Sequence, residues 1–352
     1  MPIDSIVRTR RALVKDVVML AGFGAASRLF QIGPAGPNAF AQAKTGSRPA
    51  ENKGSTLILL GTQGGPGITL ARSETASVLA VGGQLYLVDC GYGTLRALVQ
   101  AGLGYNDVSN IFLTHLHNDH TSDVAALLSH QWTSGRAQAA TVHGPFGTAA
   151  LVEGAIAFFK ADTEIRMVDE GRTVKPESLF HGHDIAVSGP AEIFRDERVA
   201  VKAVENTHFS ERAKKRMPYR SVAYRFDMAD RSVVFSGDTA YCAGLVALAQ
   251  NADVFVCEAI DAALHKQMES AAKEAIAKNT ESVARHVLET HSTAEDAGRM
   301  AAEAKVKTVV LNHLVGGGNS DRTLESIEAD FSASVRKFFS GRVIVGRDQM
   351  KI

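Results

Sequence analysis

The sequence predicts one α/β domain in which sheets are sandwiched between helices. Three observations carry that expectation. Apolar runs of strand length are paired across short turns, helical runs separate other strands, and four strands end in a side chain able to hold a metal ion.

In chain order, "TLILLG" opens the folded part at Thr56 as a buried strand. "SVLAVGGQLYLVD" is two apolar runs joined by Gly82-Gly83, a hairpin signal. "YGTLRALVQAGL" sets Leu95, Leu98 and Val99 at helical spacing. "VSNIFLTH" reads as a strand and "DVAALLSHQW" as the helix after it. "RVAVKAVENTH" is a strand, and "SVAYRFDMADRSVVFSGD" is a hairpin-like pair around Met228–Arg231. "ADVFVCEA" is another strand. In "HSTAEDAGRMAAEAKV", Ser292 can cap a helix, Glu295 completes a capping box, and Ala297, Met300, Ala301 and Ala304 line one face. "KTVVLNH" is the final strand. There is no fixed-period repeat.

The 352 residues suffice for a large core, and 45% apolar with 22% charged residues is a globular composition. Formal net charge is zero, so bulk electrostatics give no argument for nucleic acid. Cys90, Cys242 and Cys257 are too few and scattered for a disulfide framework, and read first as core thiols, with a pairing of two of them as the alternative.

Residues 1–43 differ from the rest. "RTRRALVKD" is basic, "VVMLAGFGAAS" is apolar, and "PNAFAQA" offers the small residues Ala39, Ala41 and Ala43. That is the order of an export signal peptide, with Arg10 and Arg11 resembling a twin-arginine pair. The apolar run is too short for a permanent membrane span. Polar "KTGSRPAENKGS", residues 44–55, reads as a linker, leaving 56–352 as the folded domain. The leader holds five basic and two acidic residues, so the mature protein would be mildly acidic, periplasmic or secreted, with no membrane span.

"FLTHLHNDHTSD" contains the densest chemistry. His115, His117, Asp119 and His120 lie on one tight turn and can reach two ions from opposite sides. Imidazole and carboxylate donors suit zinc, and also iron or manganese. Three further strands end in His208, Asp238 and His313. Strand C-termini opening on one sheet edge are where open α/β folds gather their sites.

"THLHNDH" with "FSGDT" and a late strand-end histidine resembles the metallo-β-lactamase-fold hydrolases. "LGTQGG", "VDCGYGT", "GPFGT", "CEAI" and "HSTAEDA" make it similar to the ribonuclease Z and arylsulfatase-like branch. The resemblance runs from about Thr56 to Ile352. It implies an αββα sandwich, two mixed sheets flanked by helices, and two zinc ions. His115, His117 and His208 would hold one ion, Asp119, His120 and His313 the other, and Asp238 would bridge them. A hydroxide between the ions would be the nucleophile. Asp119, His291 and Glu258 are the candidate catalytic side chains, with Glu258 orienting His291 toward the scissile group.

Other histidines carry less. "FHGHD" (His181, His183, Asp184) reads as a pocket wall or surface loop, and His143 as structural. His130, His265 and His286 lie in helical patterns without a functional signal. Basic "SERAKKRMPYR" follows His208, and Lys214, Lys215 or Arg216 could lean over the metals to recruit an anionic substrate.

In the tRNA-processing members of the branch a long basic arm lies between the lone histidine ligand and the bridging aspartate. Here His208 and Asp238 are only 30 positions apart. With the export signal, this favours a small phosphodiester or aryl sulfate over nucleic acid. The alternatives are a ribonuclease Z-like tRNA 3′-processing endonuclease, a lactonase, thioesterase or β-lactamase on the same fold, and, last, a non-enzymatic binding protein. "DVAALLSHQW" and "LVEGAIAFFKAD", with Phe158 and Phe159, could form a pocket wall or dimer surface. A homodimer is implied by the resemblance alone.

Overall fold

In the computed structural model, residues 54–187, 189–274, 278–316 and 323–352 are described. All of them fall in the unit Ala41–Ile352. The leader expected at 1–43 and nearly all of the linker expected at 44–55 lie outside the described residues.

The first half contains β1 (Ser55–Gly61), β2 (Ala76–Val81), β3 (Gln84–Val88), α1 (Thr94–Gln100), β4 (Val108–Phe112), α2 (Asn118–Thr121), α3 (Val124–Thr133), β5 (Ala140–Gly144), α4 (Thr148–Phe158), α5 (Lys160–Asp169) and β6 (Phe180–Asp184). Its strands form one sheet in the order β1-β2-β3-β4-β5-β6, antiparallel for the first three and parallel from β3 to β6.

The second half contains β7 (Ala191–Arg195), β8 (Val199–Glu205), α6 (Glu211–Lys214), β9 (Val222–Met228), β10 (Ser232–Phe235), α7 (Ala243–Leu248), β11 (Val254–Ile260), α8 (Ala262–Glu274), α9 (Lys278–Thr290), α10 (Ala294–Glu303), β12 (Thr308–Val315), α11 (Leu324–Arg336) and β13 (Arg342–Val345). These strands pair in the order β13-β12-β11-β10-β9-β8-β7. The run from β7 to β10 is antiparallel and the run from β10 to β13 parallel. Two mixed sheets flanked by helices are the expected sandwich.

The core divides by the two-residue period of the strands. Leu57, Leu59, Tyr86 and Phe112 of the first sheet meet Val201, Tyr224, Phe226 and Val256 of the second. The alternate residues Ile58, Leu60, Leu85 and Leu87 face α1, α3 and α4. Phe255, Cys257 and Leu311 likewise face α10 and α11. Strands buried on both faces therefore read as unbroken apolar runs. Phe112 meets Phe194, Tyr224 and Phe226 edge-on at centroid distances of 5.6, 5.7 and 5.2 Å, so truncating it to alanine would cost about 3–5 kcal/mol.

Several expectations need correction. β1 begins at Ser55, one residue early. Val99 is exposed, because α1 turns Thr94, Ala97 and Leu98 inward. The helix after "HST" is capped by Thr293 with Asp296, one position later than Ser292 with Glu295. The Ser292 hydroxyl is instead occupied by the Thr239 carbonyl. "KTVVLNH" is followed by one more strand, β13. "FHGHD" is the edge strand β6 rather than a loop, and Asp184 accepts from the Gly147 and Ala149 amides at the start of α4. The three cysteines are free and buried. Phe159 is buried and Phe158 exposed. Among the described residues no helix is long and apolar enough to cross a membrane.

Candidate metal centre

The site lies where the loops after β4, β8, β10 and β11 meet β12. His115 and His117 lie in the turn that leaves β4, and Asp119 and His120 in the short helix α2 that follows it. His208 follows β8 and Asp238 follows β10.

His313 arrives differently. It lies inside β12, at a bulge where Glu258 pairs with Asn312 and Ala259 with Leu314, which leaves His313 unmatched. Its φ of 44° is left-handed, which costs a histidine energy and re-aims its ring out of the ladder into the site. Gly64 passes so close that a Cβ there would lie 2.4 Å from the His313 ring.

The donors form two groups. His115 Nε2 and His208 Nε2 lie 3.0 and 3.1 Å from His117 Nδ1. In the other group His313 Nε2 lies 3.3 Å from Asp119 Oδ2 and 3.2 Å from Asp238 Oδ2, and His120 Nε2 lies 3.3 Å from Asp238 Oδ1. Asp238 Oδ2 is also 3.8 Å from His115 Nε2, so this carboxylate stands between the groups. All seven expected ligands are brought together.

The fit to metal shows in what the site leaves unsatisfied. His120 Nε2 and Asp238 Oδ1 are buried without a hydrogen-bond partner, as is His313 Nδ1. Burial and the neighbouring histidine His120 push the His115 imidazole far down. It therefore stands neutral with a lone pair available. Burial alone would raise the Asp238 carboxyl, yet His313 and His120 hold it well below the usual range. Neutral His115 and the ionised carboxylates are in the forms a divalent ion needs. Against burial, the same carboxylates raise His120 and His313, which would give up a proton as an ion bound.

Three residues that the sequence reading missed adjoin these ligands, and two of them each fix one. Asp89 Oδ2 lies 2.9 Å from His120 Nδ1 and its Oδ1 accepts the Thr114 amide at 2.8 Å. The Gly65 amide donates to Asp119 Oδ2 at 2.9 Å. His286, expected to be without function, sits with ring centroids 5.1 Å from His208 and 5.4 Å from His291. Asp89 carried the same strand-end signal as the ligands, inside "VDCGYGT". His286 carried none, because only the packing of α9 brings it to the site.

His291 and Glu258 meet as expected, with Nδ1 2.7 Å from Oε2. Burial disfavours the imidazolium of His291, but the Glu258 carboxylate outweighs it and raises the pKa. The basic loop is placed otherwise than its sequence suggested. Lys214 is held by Glu205 at 2.7 Å and Glu211 at 3.0 Å, while Lys215 and Arg216 are exposed. His143 stacks on Phe112 at 4.9 Å, and His181 lines a groove of about 550 Å³ along α4.

A family model described as Beta-lactamase superfamily domain matches residues 85–314, the stretch holding all seven ligands. The chain belongs to that family. A protein named ribonuclease Z from Mycolicibacterium gilvum (strain PYR-GCK) is 31% identical over 302 residues, covering 84% of this chain and 95% of its own. Two solved structures share the fold. The metallo-beta-lactamase fold protein YhfI from Bacillus subtilis has TM-score 0.58 and 17% identity over 85% of this chain and 98% of its own. Human tRNase Z, short form, has TM-score 0.55 and 23% identity over 84% and 98%. As a member of the family, this protein is a metallo-β-lactamase-fold hydrolase with a histidine and aspartate cluster able to bind metal.

Proposed function

We propose that this hydrolase cleaves phosphodiesters at a centre of two zinc ions. The observation that carries the reading is the His291–Glu258 pair, set at 2.7 Å beside the seven ligands. When bound, two such ions would lower the pKa of a water and offset charge on the ester oxygens. His291 spends Nδ1 on Glu258, which leaves Nε2 for the substrate. Held protonated by that carboxylate, it can neutralise an ester oxygen and hand a proton to the departing one. Asp238 and Asp119 would hold the ions, and Asp89, 2.9 Å from His120 Nδ1, would keep that ring turned toward them.

RNA is the better-supported phosphodiester, because a relative matching 95% of its own length is named ribonuclease Z. This weighs against the expectation of no nucleic-acid partner. One observation favours a second reading, a small phosphodiester or aryl sulfate. The stretch from His208 to Asp238 is taken up by α6 and the paired strands β9 and β10, with Lys214 bound to Glu205. On that reading Lys215 and Arg216 are the contacts for a small anion, and residues 1–43 direct export.

The test is turnover by the zinc-loaded protein and its His291→Ala variant. The substrates are a 3′-extended precursor tRNA, bis(p-nitrophenyl) phosphate and p-nitrophenyl sulfate. Trimming of the RNA, lost in the variant, supports the first reading; cleavage of the nitrophenyl esters alone supports the second. A protein that opened lactones or β-lactams and left all three untouched would overturn both. Export is checked by the N-terminal sequence of protein recovered from the periplasm. Uncleaved protein retained in the cytosol would overturn it.

A further inference from the structure

The segment between β11 and α10 brings one more ligand-capable residue to the site, His286. Helix α9 ends at Thr290, and His291 follows it directly. One turn back, His286 points its ring into the same space, 6.2 Å from His117 as well as 5.1 Å from His208. Ligand-capable atoms of His208, His286 and His291 all lie within 4.8 Å of one another.

Thr290 orients two of these rings. Its carbonyl oxygen is 3.3 Å from His208 Nδ1, and its hydroxyl is 3.1 Å from His286 Nδ1. The hydroxyl hydrogen is given to the His286 carbonyl at 2.7 Å, so its oxygen is left to accept. His286 Nδ1 must therefore carry the ring proton, and Nε2 the lone pair. His208, donating Nδ1–H to the Thr290 carbonyl, is fixed in the same form. An imidazole whose outward N–H is held by backbone or hydroxyl oxygen is in the state that metal-ligating histidines adopt. A side chain that merely filled space beneath α9 would need neither the fixed tautomer nor the inward lone pair.

Resting on the reading of His115, His117 and His208 as ligands of one ion, we propose that His286 is a fourth imidazole for that ion. Those three rings stand 4.6–5.0 Å apart, and His286 stands beside them, 5.1 Å from His208 and 6.2 Å from His117. Its role is retention: three imidazoles bind the ion, and the fourth slows its loss. The ion is one that imidazole suits, zinc or iron rather than magnesium or calcium.

The test measures zinc affinity by competition with a chromophoric chelator, and the absorption of the cobalt-substituted protein. Both are read on the chelator-treated full chain, His286→Ala and Thr290→Val. In His286→Ala one of the two zinc affinities falls at least about 10-fold, the other is unchanged, and the visible cobalt bands change in intensity. Thr290→Val removes the hydroxyl but keeps the carbonyl that serves His208, and gives a smaller loss at the same site. Wild-type affinities and cobalt spectra in His286→Ala would overturn the proposal while leaving the metal centre intact. A wild-type chain that bound no zinc or cobalt would overturn both. Should His286→Ala fail to fold by circular dichroism, Thr290→Val decides: unchanged affinity and spectrum sink the proposal.

Discussion

Nδ1 of His291 lies 2.7 Å from Oε2 of Glu258, and this contact joins the sheet to the helix beside it. Glu258 comes from β11, and His291 stands two residues before the Thr293 cap of α10. The carboxylate is buried, and its other oxygen accepts the Thr239 amide, so it cannot swing away.

Glu258→Gln tests that relationship with almost no change of shape. An amide can still accept from Thr239, but it no longer offers a negative charge to His291. The expected result is a kcat lower by about 10²-fold with KM changed only a few-fold. The pH profile moves as well. Glu258 raises the His291 pKa, so activity that needs the imidazolium fades as pH climbs through the raised value. Without the carboxylate the fade starts at lower pH. Matching alkaline limbs in both proteins would refute a protonated His291.

Asp89→Ala is expected to weaken one metal and not the other. Asp89 holds His120 Nδ1 at 2.9 Å and also takes the Thr114 amide and hydroxyl. Its left-handed φ of 59° shows backbone energy spent to place it. Loss of such a partner costs about 10–100-fold in metal affinity. Zinc titration should show that loss only at the site containing His120. An equal loss at both sites would mean that the loop itself had collapsed.

Much of this site is legible in the sequence, because its ligands stand just beyond apolar runs whose ends are easy to place. His208 and Asp238 follow β8 and β10 in this way. His313 was found for an incomplete reason: it is a bulged residue inside β12 rather than its end, and a bulge leaves no mark in a hydrophobic pattern. His286 was passed over because helical spacing reports which face is apolar, not which side chain a packed helix delivers to a distant loop. Lys214 shows the opposite error. A basic run suggests a free field, yet Glu205 on β8 spends one of its charges.

His143 gives a pH dependence apart from the metal centre. It stacks on Phe112, and its Nδ1 is 3.2 Å from Nδ1 of His183. Burial, with His183 adding to it, pushes its pKa down to about 4. An unfolded histidine titrates near 6.5. The folded value is lower, so the stability from neutral His143 is complete above about pH 6.5 and is lost as pH falls toward 4. The full loss is about 3 kcal/mol. Urea midpoints between pH 7 and 4.5 should fall more steeply for the wild type than for His143→Gln. Parallel curves would show that His143 does not titrate in this range.

Metal removal should destabilise the domain as well as silence it. Asp119, Asp238, His120 and His313 come from three separate stretches of chain and are buried, with each histidine Nε2 3.2–3.7 Å from an oxygen of each carboxylate. His120 Nε2 and Asp238 Oδ1 have no hydrogen-bond partner there. Unsatisfied buried groups weaken the folded state, and an ion bound between them couples β4, β10 and β12. A ligand at 100 times its Kd contributes about 2.7 kcal/mol per site. Two zinc sites would then raise Tm by about 10 °C for a domain of this size. Thermal unfolding with a chelator should show that drop, and excess zinc should reverse it. Asp238→Asn, which weakens the bridge, should show a smaller zinc-dependent rise. A chelator-treated protein that melted at the loaded temperature would mean that the fold holds this cluster without any ion.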